Sequence, residues 1–312
     1  MLVYGPMGRV SVILLFPLLM GCSTAVTTDS WGEQSQRLGQ ALELSGATLQ
    51  AKAAVPFAPD SPEGLSVRVT SFAIADAFGR QVVAWKALDT YAADVQRILD
   101  ARLLEEERVR QVARAFHDLH RHLLQTGIAD KLGINLDRHR EVVQEILACR
   151  STVAALETAQ PAISVLCQNL SAECANLEFD LDAWLDTCLR NVDSKWRPDL
   201  DGYAILLARK RDLEQEIAAQ AAGVTERRGD PSGELLKVET LVRNSASWRQ
   251  LYAEEQESLA LAFADARGHV QKTAHAVLEW GISHREITKA MRSGAETVNL
   301  RLLTASAEEL AR

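Results

Sequence analysis

The residues best suited to hold a metal ion are three histidines in the sequence FHDLHRH. His117 and His120 are three positions apart and share one face of a helix, whereas His122 points elsewhere. Two imidazoles on one face, together with a carboxylate from a neighbouring helix, can bind a transition metal. The alternative is that they are polar residues beside an apolar helix face. We adopt this alternative and expect no cofactor. If a metal does bind, His117 and His120 are the candidate ligands.

An apolar run from Val10 to Met20 precedes Cys22 in the sequence LLMGC. The run has the length of the hydrophobic part of a secretory signal and is too short to span a membrane, which takes roughly 20 residues. This sequence resembles a bacterial lipoprotein signal peptide. The resemblance implies cleavage before Cys22, a lipid on its sulfur and acylation of the new N-terminus. Ser23, in place of Asp, implies the outer membrane, and we expect the protein to face the periplasm.

Four cysteines follow the signal, at positions 149, 167, 174 and 188. An even number of cysteines in an exported protein is typical of disulfides. If the chain turns at residues 169–171 between two antiparallel helices, Cys167 lies opposite Cys174, and Cys149 lies opposite Cys188. The separations within the two helices, 18 and 14 residues, differ by about 6 Å along a helix. We expect these two disulfides, with free buried thiols as the alternative; the spacing disfavours a zinc site.

Composition and motifs argue against several functional classes. The chain has 34 Lys and Arg against 42 Asp and Glu, and loss of Arg9 with the signal brings the net charge to −9. Such an acidic protein is a poor general binder of nucleic acids or anionic lipids. The sequence has no G-x-S-x-G, H-E-x-x-H or C-x-x-C-H motif and no phosphate-binding glycine loop. We therefore expect no catalytic activity.

Apolar residues recur three and four positions apart through most of the chain, which predicts an all-α fold. The expected architecture is an elongated helical bundle with long coiled-coil-like helices and a disulfide-linked helical hairpin. Residues 1–21 are the expected signal peptide, 22–33 a tether, and 34–312 an all-helical domain with a possible internal break at 225–233. The expected helices cover residues 34–55, 72–126, 138–168, 198–222, 234–280 and 283–310, with a further helix through 174–188.

Two helix boundaries are open in the sequence. Ser61 and Pro62 form a helix-start signal, but helix could instead begin at Thr70, because residues 65–69 alternate like a short strand. The apolar row of the following helix is interrupted at Arg102 and Glu105. We expect the helix to continue there, with neighbouring leucines turning the buried face.

The segment from Gly281 to Leu302 resembles the recognition half of LuxR-type helix-turn-helix domains. The positions that carry the resemblance are Gly281, Ser283, Glu286, Ile287, Thr297 and Val298. Ser283 and Glu286 also fit a helix capping box after a helix that ends at Gly281. Since the export signal and the negative charge both disfavour DNA binding, we expect no nucleic-acid partner.

Two functional hypotheses follow from the sequence. The first is a lipid-anchored envelope protein that serves as a structural or protein-interaction adaptor in the periplasm, with its long helices contacting a protein partner. The second is a helical bundle that binds a small ligand or metal in its core. Polar residues in the apolar rows would indicate the second: Arg102, Glu105, Gln160 and Ser245.

Overall fold

The computed structural model describes residues 29–54, 60–125, 136–224, 229–294, 305–306 and 308–309. The described residues form helices and connecting turns without any β-strand, so the predicted all-α class is confirmed. None of the described helices is long and apolar enough to cross a membrane. Seven helices are described: α1 (Asp29–Ala53), α2 (Pro62–Asp100), α3 (Glu105–Gln125), α4 (Leu136–Leu147), α5 (Thr152–Ala221), α6 (Pro231–Asn244) and α7 (Ala246–Ser293).

Four of the helices pack as two antiparallel pairs, α1 with α2 and α5 with α7. In α1 and α2, Gly39 lies beside Trp85 and Gly46 beside Phe78, so the two helices run in opposite directions. The same holds for α5 and α7, where Glu178 accepts a hydrogen bond from Gln271 and Asp193 one from Tyr252. Apolar side chains of α1 to α5 and α7 form one continuous core. Within it, α2 packs against both α1 and α5.

Helix α2 begins at the Ser61–Pro62 signal. The Ser61 hydroxyl accepts a hydrogen bond from the Gly64 N–H at 2.9 Å, and Pro62 occupies the first helical position. A proline there loses no hydrogen bond, because the first N–H groups of a helix have no partner within it. The alternative of a short strand before Thr70 is therefore wrong.

The expected continuous helix from 72 to 126 is interrupted at residues 101–104, where Ala101 has extended backbone. Arg102 is exposed, so it does not lie in an apolar row. Glu105 starts α3 and accepts hydrogen bonds from the Thr152 N–H at 2.7 Å and the Thr152 hydroxyl at 2.9 Å. These bonds lower the pKa of Glu105. Glu105 thus fixes the beginning of α5 and is no pointer to a ligand.

Helix α5 contradicts the predicted helical hairpin. It continues without a turn through residues 169–171 and over 70 residues, about 105 Å at 1.5 Å per residue. Leu170 is buried in the core, and the segment has no glycine or proline to stop a helix. Pro161 and Pro198 lie within α5, and both are exposed to solvent.

The C-terminal helices also differ from expectation. The expected helix 234–280 is divided at Ser245, which ends α6 and begins α7. Helix α7 then continues through Gly281 to Ser293. Gly281 is buried against the sulfur of Cys167, so it serves close packing and does not end a helix. The Ser283 hydroxyl donates to the Trp280 carbonyl, and Glu286 pairs with Lys289. The expected capping box and the expected helix end at Gly281 are therefore wrong.

Candidate interaction surface

The far part of α5 leaves the core and pairs with α6 and the start of α7. Of the fifteen buried residues of α5, only Leu213 follows Val192, and no residue of α7 before Leu259 is buried. We call residues 193–221 and 231–258 the distal hairpin. The α5 segment is about 43 Å long at 1.5 Å per residue. Over this length the hairpin is a rod of two antiparallel helices.

Four half-buried aromatic side chains join the helices of the distal hairpin near the core. Trp196 stacks on Trp248 with ring centroids 6.1 Å apart, and Tyr203 meets Trp248 edge to face at 6.0 Å. Trp196 Nε1 donates to Glu255 at 2.8 Å. The Tyr252 hydroxyl donates to Asp193, also at 2.8 Å. Aromatic contacts with satisfied polar ends fix the pairing of the two helices where the hairpin begins.

Large apolar side chains of the distal hairpin point into solvent. Four of them are at least half exposed: Ile205, Leu236, Leu241 and Leu251. Burying aliphatic side chains stabilises a complex by about 25 cal/mol for each square ångström of apolar surface removed from water. Together with Trp and Tyr, which are enriched at the energetic centres of protein interfaces, they make the hairpin a candidate contact surface.

Two of the three sequence-predicted histidines lie together, and α4 adds another that sequence reasoning missed. His117 Nδ1 is 3.2 Å from His139 Nε2, and the His120 ring stacks on His139 at 4.1 Å. Burial lowers the pKa of His120 and of His139 to about 4. Hence both are neutral near pH 7, when they pack as stacked rings beside Phe116. His122 binds its own helix, at the Asp118 carbonyl.

This histidine cluster has the stacked geometry of packed side chains. Across the described residues, no group of three or more His, Cys, Asp or Glu side chains is arranged to hold a metal ion. The Nδ1 atom of His139 is buried and has no hydrogen-bond partner in the described structure. No sequence signal connects His139 with His117, because 22 residues and a helix boundary separate them.

The four cysteines are free thiols, which corrects the predicted disulfides. Cys167 and Cys174 lie on one continuous helix, about 10 Å apart along its axis, beyond the roughly 7 Å that a disulfide allows between Cα atoms. Cys188 lies 36 residues into α5 and Cys149 precedes that helix. The separation is therefore about 50 Å. Each predicted pairing depended on a turn that α5 lacks.

We expect a corresponding pattern of thiol reactivity in protein that begins at Ser23. Burial raises the pKa of Cys167 and Cys174 to about 12 and that of Cys188 to about 11, so these thiols should be nearly inert to Ellman's reagent in the native state. Cys149 is half-buried and should react first. Unfolding in guanidinium without reductant should reveal all four thiols. Fewer than four would show that a disulfide forms.

The remaining polar residues singled out in the sequence have structural partners. Gln160 accepts a hydrogen bond from His284 Nδ1 and donates to the Gly281 carbonyl at 3.2 Å. The other ring nitrogen of His284 is 3.0 Å from the Tyr91 hydroxyl. This chain of hydrogen bonds joins α2, α5 and α7 within the core. Ser245 donates to the Val242 carbonyl at the break between α6 and α7.

The lipidation candidate Cys22 lies outside the described residues, as do the rest of the signal sequence and part of the expected tether. Residues 225–228 of the possible internal break also lie outside them. Comparison of the chain with protein-family models, with curated proteins and with solved structures gives no match in any of the three.

Proposed function

We propose that this protein is a lipid-anchored adaptor of the bacterial cell envelope. Lipid on Cys22 holds it in the outer membrane, and its distal hairpin binds a helical segment of another envelope protein in the periplasm. The observation that carries the proposal is the distal hairpin itself, which leaves the core with exposed apolar side chains along its length. We propose no catalytic step.

The direction of α1 supports this arrangement. Near its C-terminal end, Lys52 donates a hydrogen bond to Ser258, where the distal hairpin begins. Helix α1 therefore starts at the opposite end of the bundle. Seven residues separate Cys22 from Asp29, a distance of at most about 25 Å when extended. A lipid at Cys22 would thus place the membrane near the start of α1, with the distal hairpin directed away from it.

The lengths of the helices set the reach of such an adaptor. The 25 residues of α1 and the 29 hairpin residues of α5 together span about 80 Å at 1.5 Å per residue. A partner at this distance from the membrane is expected to present an apolar helix face. Such a helix would cover part of the exposed apolar surface of the distal hairpin and turn two helices into a three-helix bundle.

In-cell photo-cross-linking tests the proposal. A photoreactive amino acid at Leu241 should yield one reproducible cross-linked protein, whereas the same amino acid at Leu44, a more exposed position on α1, should not. Cys22→Ala should release the protein from the membrane fraction and abolish the cross-link. Equal products from both positions would contradict a specific hairpin surface, and membrane retention of Cys22→Ala would contradict the lipid anchor.

A further inference from the structure

Helix α2 carries a second apolar row on the side that points away from the core. The buried row of α2 includes Ile74, Phe78 and Trp85. On the opposite side, Leu65 is 59% exposed, Val69 60% and Phe72 67%. The outer row consists of Leu65, Val69, Phe72, Asp76, Gly79 and Val83, all six exposed.

The spacing of the outer row is that of a coiled-coil seam. Its members follow one another at intervals of four, three, four, three and four residues, so they form one line along the helix. Phe179 on α5 also lies in an exposed row, but only Val165 and Phe179 of that row are large, and Gln168, Ala172 and Ala175 stand between them. Isolated exposed side chains are common on soluble proteins, but a heptad row over 19 residues indicates a helical partner.

Apart from Val83 at its end, the outer row has its large residues in the first half and its small ones in the second, which makes the row complementary to itself in one direction. The bulky residues Leu65, Val69 and Phe72 occupy its first half. The second half contains the short side chain of Asp76, and Gly79, where an added Cβ would meet no atom within 4 Å. Two such rows in antiparallel order pair Leu65 with Val83, Val69 with Gly79, and Phe72 with Asp76.

Charge favours the same direction. Asp76 forms an ion pair with Arg80 on its own helix and remains largely exposed. A parallel pairing in register would place Asp76 opposite the Asp76 of the other copy, and two like charges at one level of a helix interface are unfavourable. It would also leave a void between two Gly79 residues. The antiparallel pairing separates the two carboxylates and fills each small position with a large side chain.

We propose that the outer row of α2 binds the outer row of a second copy of this chain. The two helices run antiparallel, with the twofold axis between Phe72 and Asp76. Because the interface is isologous, each residue pair occurs twice and the assembly closes as a dimer. This association is separate from the distal hairpin and does not depend on the proposed function.

The size of the row predicts a dimer of moderate affinity. Nineteen residues of helix are about 27 Å long. Such a strip offers less than the roughly 800 Å² per partner that stable complexes bury, so we expect a dissociation constant in the micromolar range. The antiparallel order places the starts of the two α1 helices at opposite ends of the dimer, so the association is measured on protein that begins at Ser23 and carries no anchor.

Sedimentation equilibrium of protein that begins at Ser23, over about 1 to 300 µM, measures this association. The parent protein should shift from monomer to dimer. Phe72→Glu should weaken the association at least about tenfold, because it places a carboxylate at the centre of the interface beside Asp76. Phe179→Glu is the matched control, since Phe179 is even more exposed, at 76%, and should dimerise like the parent. A parent monomeric at every concentration, or equal weakening by both variants, would overturn the proposal.

Disulfide cross-linking determines the direction of the two helices. The double variant with Val69→Cys and Gly79→Cys should form an intermolecular disulfide under mild oxidation, because the antiparallel order places these positions opposite each other. Val69→Cys alone should form little dimer, since its counterpart lies about 15 Å along the helix. Efficient cross-linking of Val69→Cys alone would indicate parallel helices and overturn the proposal. Both variants also carry Cys149→Ser, because Cys149 is the half-buried native thiol, whereas the buried Cys167, Cys174 and Cys188 should not interfere.

Discussion

Gly46→Ala should lower the free energy of unfolding by about 2 kcal/mol, the middle of the range for overpacked cores. A Cβ atom at Gly46 would lie 2.7 Å from the Cβ and 2.9 Å from the Cγ of Phe78, closer than real Cβ contacts. Phe78 is buried, so its ring has no free space to enter. Helices α1 and α2 would have to separate, which loosens one side of the core. Urea unfolding followed by circular dichroism measures the effect.

Gly39→Ala is the control for this prediction. Gly39 is also a buried glycine of α1 that faces α2, but a Cβ there would lie 4.0 Å from the Cβ of Trp85, an ordinary contact. Since alanine favours helix over glycine, this variant should gain about 0.5 to 1 kcal/mol. If both variants had equal stability, close contact at Gly46 would not be what brings α1 against α2.

Acid should destabilise the protein between pH 6.5 and pH 4 through its buried histidines, of which His284 is the most deeply buried. Burial lowers the pKa of His284 from 6.5 to about 4 in the folded protein. The unfolded chain therefore binds the proton first as the pH falls. The contribution to stability is complete above pH 6.5 and is lost progressively towards pH 4, by up to about 3 kcal/mol for this one histidine. His120 and His139, with pKa values of about 4, add to the loss.

The hydrogen bonds of His284 explain why the neutral form is required. The Gln160 amide nitrogen donates to the Gly281 carbonyl and to Ser164, so its oxygen accepts from His284 Nδ1. The Tyr91 hydroxyl then donates to His284 Nε2. A second proton on the ring would remove this acceptor. It would also place a positive charge in the core, where burial disfavours the charged form.

Urea unfolding at a series of pH values tests this prediction. His284→Gln should reduce stability at pH 7 yet flatten its dependence on pH between 6.5 and 4. His275→Gln is the control, because His275 is an exposed histidine on the same helix. A pH dependence unchanged by His284→Gln would contradict a neutral buried imidazole.

The sequence predicts the helical class well but not where the helices stop. The spacing of apolar residues at three and four positions is a property of each helix by itself, so the sequence predicts the apolar rows of α2 and α7. The helix ends are not predicted because tertiary packing outweighs the local signals that usually end a helix. Residues 169–171 read as a turn but remain helical with Leu170 in the core, and Gly281 read as a helix end but lets Cys167 approach. Conversely, no glycine or proline marks the interruption at 101–104.

The sequence does not predict which helices pack together, and therefore not which residues meet or stay exposed. The pairing of Tyr91 with His284 joins residues 193 positions apart, and only the stacking order of the helices brings them together. The disulfide prediction depended on a local turn, so the continuity of α5 removed it. Two members of the outer row of α2, Leu65 and Val69, fall in the stretch that alternates like a strand, but Val67 between them is buried. The exposure of the outer row follows only when the buried row is known.

The distal hairpin has a length that is independent of the core. Beyond its base, where Ser258, Trp196 and Tyr252 meet the bundle, the hairpin consists of paired helices alone, so its architecture is nearly one-dimensional. Inserting seven residues in α5 and seven in the helix opposite would keep every contact type and move the tip by about 10 Å. Paired heptad insertions can thus change the reach of the hairpin while the bundle, its glycine contacts and its buried histidine stay unchanged.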